Sequence, residues 1–155
     1  MNTNWIWIVK FLIVIAAALV LGEVLGSLAL FKSTTLGTPT LTAGSLVQFF
    51  AHASALVLLL MLGERLAQQL RATGGGTARL ADPALALITL IVTASAYVVL
   101  IKFSAPFLGR GIRTMLDWTF ILGILSAAVW LVWALFHNSE AVMEAIGKSA
   151  RTKTE

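Results

Sequence analysis

The sequence predicts an all-α polytopic membrane protein whose four transmembrane helices form two antiparallel hairpins, with both termini in the cytoplasm. Hydrophobic residues make up 59% of the 155 residues and charged residues 12%, and the mean hydropathy is +0.92, which is outside the range of soluble domains. Four apolar segments are each long enough to cross a hydrocarbon core of about 30 Å. Lysine and arginine lie mainly at the ends of these segments, where they set membrane topology.

The predicted layout is a four-helix transmembrane domain over residues 1–138 and a cytoplasmic amphipathic and basic tail over residues 139–155. The helices are expected at about residues 5–31, 40–68, 83–106 and 113–137. The first segment is not read as a signal peptide, because its apolar run is too long and lacks a clean small-residue cleavage site.

Cap-then-proline pairs predict where the second and third helices begin. Thr38 and Pro39 are typical of a helix cap followed by proline in the first turn, and Asp82 and Pro83 repeat the pattern. The three glycines at 74–76 predict a mobile link between these two helices.

For the fourth helix, Thr114 with an acid three residues later at Asp117 fits a capping box. The link before it, at about residues 107–112, is short enough to favour a tight antiparallel reversal.

Small residues predict where the helices touch. Ala18, Gly22 and Gly26 recur every fourth residue on the first helix and form a ridge that lets another helix approach closely. On the second helix, small and polar residues share one face that is not expected to contact lipid. That face is formed by Gly44, Ser45, Gln48, His52 and Gly63.

The orientation follows from the basic residues at the segment ends. Seven fall on the side assigned to the cytoplasm: Lys10, Arg65, Arg71, Arg79, Lys148, Arg151 and Lys153. Four fall on the other side: Lys32, Lys102, Arg110 and Arg113. The five tryptophans fit interfacial anchoring, with Trp5, Trp7, Trp130 and Trp133 toward the cytoplasmic boundary and Trp118 toward the other.

Polar side chains are concentrated at and beyond the membrane midplane on the external side. His52 is expected close to the midplane, and Glu23, Gln48, Lys102 and Asp117 about 6 to 12 Å from it. Charges at this depth require partners, so Lys102 is expected to pair with Glu23 or Asp117.

Other roles for the same residues stay open. Asp117 is accounted for by the capping box, and Lys102 could extend to the headgroups. His52 is expected to be a neutral imidazole bonded to a neighbouring helix, with haem or chlorophyll ligation as a minor alternative. Glu23 is expected to be structurally paired, with a proton or ion role as the alternative.

The residue inventory leaves little for catalysis. The chain has no cysteine and two histidines, and contains no zinc-protease, serine-hydrolase, phosphate-loop or dinucleotide-binding motif. We therefore expect no enzyme activity, no catalytic residue, no cofactor and no metal site. The basic residues are read as topology and headgroup contacts, so no nucleic-acid partner is expected.

The composition favours a structural or accessory subunit of a homo- or hetero-oligomeric membrane complex. The expected location is a cell membrane, namely the inner membrane of a bacterium. Its partners would be the bilayer and other membrane subunits or copies of the chain. The alternative is a small oligomeric channel or proton or ion conductor, with Glu23, Gln48 and His52 lining a path. Residues 56–62, LVLLLML, weigh against a pore because they would form a hydrophobic constriction. A membrane enzyme is the third and least favoured hypothesis.

Overall fold

The computed structural model describes residues 6–36, 38–104 and 107–139, with the backbone alone at 36 and 38–40. The elements are α1 (Ile6–Ser27), α2 (Ala29–Ser33), β1 (Thr35–Leu36), β2 (Thr38–Thr42), α3 (Ala43–Thr73), α4 (Gly75–Ala78), α5 (Ala81–Ser104) and α6 (Arg110–His137). Apart from Ser139, the predicted tail lies outside the described residues, as do Trp5 and Pro106.

Four helices in the described ranges are long and apolar enough to cross a membrane: α1, α3, α5 with the preceding α4, and α6. The predicted all-α class with four candidate spans is therefore confirmed, and the chain is compatible with a multi-pass membrane protein. The spans differ in length. At 1.5 Å per residue α1 extends about 33 Å and α3 about 46 Å, so α3 is longer than the hydrocarbon core is thick.

The first helix ends earlier than predicted. Leu28 is extended, with φ −61° and ψ 138°, and the Ser27 hydroxyl donates to the carbonyl oxygen of Val24 at 2.7 Å. The helical path therefore stops after Ser27, and the short α2 follows as a separate turn instead of continuing the span to residue 31.

The predicted start of the second helix at Thr38 and Pro39 is wrong. Both residues lie in β2, which pairs antiparallel with β1, as β-branched threonines favour. The N-cap of α3 is Thr42, whose side chain accepts from the Ser45 N–H at 3.2 Å. The Ser45 hydroxyl donates back to the Thr42 carbonyl at 2.7 Å, so the helix begins at Ala43.

The glycine link is short and contains the α4 turn. Gly74 and Gly75 have φ of 72° and 65°, which is the left-handed region that glycine adopts without strain. α5 begins at Ala81, so Asp82 lies in its first turn instead of preceding it. Its carboxylate accepts from the Arg71 guanidinium at 2.6 Å and ties α5 to the end of α3.

The predicted capping box of the fourth helix is also wrong. α6 begins at Arg110 after Gly109, which caps it without a side-chain hydrogen bond. Thr114 is already inside the helix, where its hydroxyl donates to the Arg110 carbonyl at 3.0 Å. Asp117 accepts a hydrogen bond from Tyr97 of α5 instead of serving the helix terminus.

The four long helices form an open row instead of a closed four-helix bundle. α1 packs on α3, α3 on α5, and α5 on α6, and no other pair of these four forms a comparable interface in the described ranges. In the most apolar part of each span, between 6% and 17% of residues are buried. Most large apolar side chains therefore face outward, and the buried positions in the described residues are mainly small: Gly22, Gly26, Gly44, Ala55, Leu62, Gly63, Ala67, Ala81, Pro83, Ala86, Ala127 and Ala134.

Candidate functional site

Glycines bring α1 and α3 into backbone contact. Gly22 and Gly26 are the buried residues of α1, and Gly44 is buried on α3. A Cβ on Gly44 would lie 2.7 Å from the carbonyl oxygen of Gly26, and a Cβ on Gly22 would collide with Ala51. Three of the predicted packing residues thus lie in the α1–α3 interface.

The other predicted packing residues have different surroundings. Ala18 is half-buried on α1, and Ser45 is occupied with the α3 cap. Gly63 lies against α5, where an added Cβ would be 2.8 Å from Cγ2 of Ile88. α3 therefore uses small residues toward both of its neighbours.

Near the end of α1, Glu23 interacts with two side chains of α3. The Gln48 amide donates to Glu23 Oε2 at 3.1 Å, and His52 Nε2 lies 3.9 Å from Glu23 Oε1. This contact depends on Gly26, because a Cβ there would lie 2.7 Å from Gln48 Cγ. The Glu23 side chain remains 63% exposed and the His52 side chain 37%.

The hydrogen bonding of His52 fixes which ring nitrogen faces the acid. Nδ1 lies 2.7 Å from the Gln48 carbonyl oxygen, which can only accept, so Nδ1 carries the hydrogen. In the neutral imidazole, the Nε2 lone pair then faces Glu23. The hydrogen bond of His52 is therefore within α3 and not to a neighbouring helix as expected, and its 3.9 Å contact with Glu23 is longer than a hydrogen bond.

These side chains line a groove of about 410 Å³. α3 supplies its floor, α1 supplies one wall through Glu23, and α5 supplies the other wall. Ten residues line it: Glu23, Ser45, Gln48, Phe49, His52, Ser95, Val98, Val99, Lys102 and Phe103. The groove opens along the side of the row because α1 and α5 do not pack against each other.

The groove contains four of the five polar residues expected to share the outer half of the membrane: Glu23, Gln48, His52 and Lys102. Lys102 lies on the α5 wall, and within the described residues it forms no ion pair with Glu23 or Asp117. The acid is engaged by the amide and the imidazole instead. Lys102 is two residues from the end of α5, about 3 Å along the axis, and its exposed side chain can reach the boundary.

The fifth residue, Asp117, lies elsewhere. It accepts from the Tyr97 hydroxyl at 3.0 Å across the α5–α6 interface, and the Tyr97 ring packs against Phe120 at 5.4 Å between ring centroids. The face carrying Thr89, Thr93 and Tyr97 thus contributes one interhelical bond, whereas both threonine hydroxyls bond within α5.

On the α5 wall of the groove, sequence reasoning identified Lys102 but missed Ser95. Ser95 and Lys102 are seven residues apart, close to two helical turns, so a period search from Lys102 would have placed both on one face. The stacked rings of Phe49 and Phe103, with centroids 4.1 Å apart, close the groove between α3 and α5. No sequence signal specified that contact.

A second groove, of about 360 Å³, lies between α3, α5 and α6 and is lined by apolar residues from Phe49 to Phe120. Phe49 and Val99 line both grooves. The polar groove and the apolar groove are therefore separated by a single layer of side chains.

Within the described part of the chain, no three His, Cys, Asp or Glu side chains come together. Glu23 and His52 could supply two ligands to a metal ion, which is fewer than catalytic or structural zinc sites use. Comparison of the chain with protein families, curated proteins and solved structures finds no match.

Proposed function

We propose that this chain is a non-enzymatic multi-pass membrane protein that acts as a structural or accessory subunit of a larger membrane assembly, formed with copies of itself or with other subunits. The observation that carries the proposal is the polar groove, which is open along the side of the helical row. A membrane protein working alone would be expected to bury such groups, because ionisable side chains facing lipid are costly.

Counting residues from the helix ends, we expect both ionisable side chains of the Glu23–His52 contact to lie at membrane depth. Glu23 is four residues from the end of α1, or about 6 Å, and His52 is nine residues from the start of α3, or about 14 Å. Water at the boundary can reach the first position more easily than the second. A helix from another chain, laid over α3 between α1 and α5, would cover both.

We further propose two antiparallel hairpins with both termini in the cytoplasm of a bacterial cell. Trp7 near the start of α1 contacts Gln69 near the end of α3, while Glu23 near the end of α1 contacts Gln48. These contacts support opposite directions for the first two spans. The excess of basic residues at the Trp7 end supports the orientation.

Native mass spectrometry after mild solubilisation tests the assembly. We expect an oligomer or a stable complex with another membrane protein. Ser95→Trp would fill the groove and lower the assembled fraction, whereas Leu122→Trp, on the exposed face of α6, would not. A monomer without companions, or sensitivity to the α6 change alone, would contradict assembly through the groove.

A second function, proton or ion conduction by an oligomer, is favoured by the proximity of Glu23 and His52, because ionisable side chains within membrane spans often mark proton or ion pathways. In liposomes, a conductor would dissipate a proton gradient, and Glu23→Gln would lower the flux. Asp117→Asn, which removes an acid outside the groove, is the matched control. Absence of flux in an intact oligomer would leave the accessory role in place.

A further inference from the structure

At the opposite end of the α1–α3 pair lies a shallow, open cavity of about 450 Å³, lined by Trp7, Arg65, Gln68, Gln69 and Ala72. Its chemistry differs from that of the polar groove. The lining offers one guanidinium, two amides and an indole, and none of its residues is acidic. Such a cavity is suited to an anion and has no acid to neutralise an ammonium.

Aromatic contacts hold the Arg65 side chain in place. The guanidinium carbon lies 5.2 Å from the centre of the Phe11 ring, and Phe11 packs edge-to-face against Trp7 with ring centroids 6.1 Å apart. A guanidinium lying over a ring keeps its N–H groups available at its edge. No carboxylate among the described residues lies within ion-pair distance of Arg65.

The amide of Gln69 is also held in one orientation. Its Oε1 accepts from the Trp7 indole N–H at 2.9 Å, so the oxygen faces Trp7 and the NH₂ group remains as a donor. Together with Arg65, this gives two neighbouring donors from α3, one of them charged. Charged donors in such an arrangement bind phosphate oxygens well.

Helix length puts the cavity at the level expected for phospholipid headgroups. A hydrocarbon core of about 30 Å accommodates about 20 helical residues, which from Ala43 reaches residue 62. Arg65 and the two glutamines lie just beyond that point, and Trp7 is the second residue of α1. Tryptophan is enriched at this boundary.

We infer that this cavity binds the phosphate of an anionic phospholipid, with Arg65 and Gln69 as the donors. The bilayer supplies such a phosphate at this depth, and basic pockets between transmembrane helices are suited to lipid headgroups. An anionic lipid such as phosphatidylglycerol adds no ammonium that would need an acid. The inference stands independently of the accessory function, since it uses neither the polar groove nor a partner chain.

The experiment compares lipid binding by the purified full chain in detergent. Phosphatidylglycerol and phosphatidylcholine with identical acyl chains are titrated, and bound lipid is counted by native mass spectrometry. Arg65→Gln removes the charged donor, and Gln68→Glu places an acid in the cavity at an exposed position. Lys32→Gln, an equal loss of charge on α2 at the other end, is the matched control.

We expect the unmodified protein to prefer phosphatidylglycerol. Arg65→Gln should weaken its binding about fivefold, equivalent to about 1 kcal/mol for one basic residue at the membrane surface. Gln68→Glu should weaken it at least as much, and Lys32→Gln should leave it unchanged. Thermal unfolding without added lipid identifies a variant that is simply unstable, in which case the other variant decides.

Three results would overturn the inference. Equal affinity for phosphatidylglycerol of the unmodified protein and of the Arg65→Gln and Gln68→Glu variants would show that the cavity is not the lipid-binding site. An equal loss in Lys32→Gln would show a general charge effect. Displacement of the lipid by inorganic phosphate at comparable concentration would identify a soluble anion, and not a lipid, as the ligand.

Discussion

Replacing Gly44 with alanine should separate α1 from α3. The added Cβ would lie 2.7 Å from the carbonyl oxygen of Gly26 and 3.5 Å from its Cα and carbonyl carbon. All three atoms belong to the backbone, so no side chain can rotate away. The clash can be relieved only by moving one helix relative to the other.

The size of that movement gives the expected effect. Carbon–oxygen contacts in helix interfaces are usually no shorter than about 3.3 Å, so the backbones must separate by about 0.6 Å at this point. A gap of 0.5–1 Å forfeits roughly a quarter to a half of the dispersion energy of the facing atoms. Together with the known range for overpacked sites, this predicts a loss of about 1–3 kcal/mol in the free energy of unfolding.

Gly111→Ala is the matched control. Gly44 and Gly111 are each the second residue of a long helix, so alanine brings a similar gain in helix propensity to both. Nothing lies within 4 Å of a Cβ at Gly111. Unfolding in mixed micelles of increasing sodium dodecyl sulfate content compares the two variants, and equal stability would refute the close packing of α1 on α3.

Two further changes concern other contacts. Tyr97→Phe removes the hydrogen bond to Asp117 and should lower the free energy of unfolding by about 0.6 kcal/mol, the average for interhelical bonds in membranes. In an Asp117→Ala background, which has no acceptor for the Tyr97 hydroxyl, it should have little further effect, and additive losses would argue against the bond. Arg71→Gln breaks an ion pair with Asp82 whose side chains are 57% and 55% exposed. The loss should be below about 1 kcal/mol and disappear at high salt, whereas a larger, salt-independent loss in thermal unfolding would contradict a surface role.

The sequence predicts this fold at the level of spans and fails at their ends. A run of about twenty apolar residues matches the thickness of the hydrocarbon core, so the mean hydropathy over such a window locates the four long helices. Helix starts depend on local competition: Thr38 and Pro39 match a helix cap, yet the threonine-rich run pairs as a strand and Thr42 takes the capping role. A cap motif is a local pattern, and it carries no information about whether the same residues can pair with a second strand.

The candidate site was predictable where helical periodicity specified it. Gln48 and His52 are four residues apart and so share a face of α3, and Glu23 lies beside the small-residue ridge of α1. Which residues meet across two helices depends on the register between the helices, and a single sequence does not specify that register. The expected ion pair of Lys102 with an acid was therefore based on depth and charge alone. In the structure, the register between α1 and α3 brings Glu23 into contact with Gln48 and His52 instead.

The two candidate functions have a common requirement that follows from the open row. The polar groove reaches from the boundary to His52, and beyond it α3 continues as LVLLLML over residues 56–62. A proton or ion moving past Glu23 and His52 along the groove would meet an apolar stretch of about 10 Å along α3. Conduction would therefore need polar groups or water contributed by another chain, and an accessory role needs another chain to cover the groove. Both proposals therefore require a second chain at the groove, and the identity of that chain would decide between them.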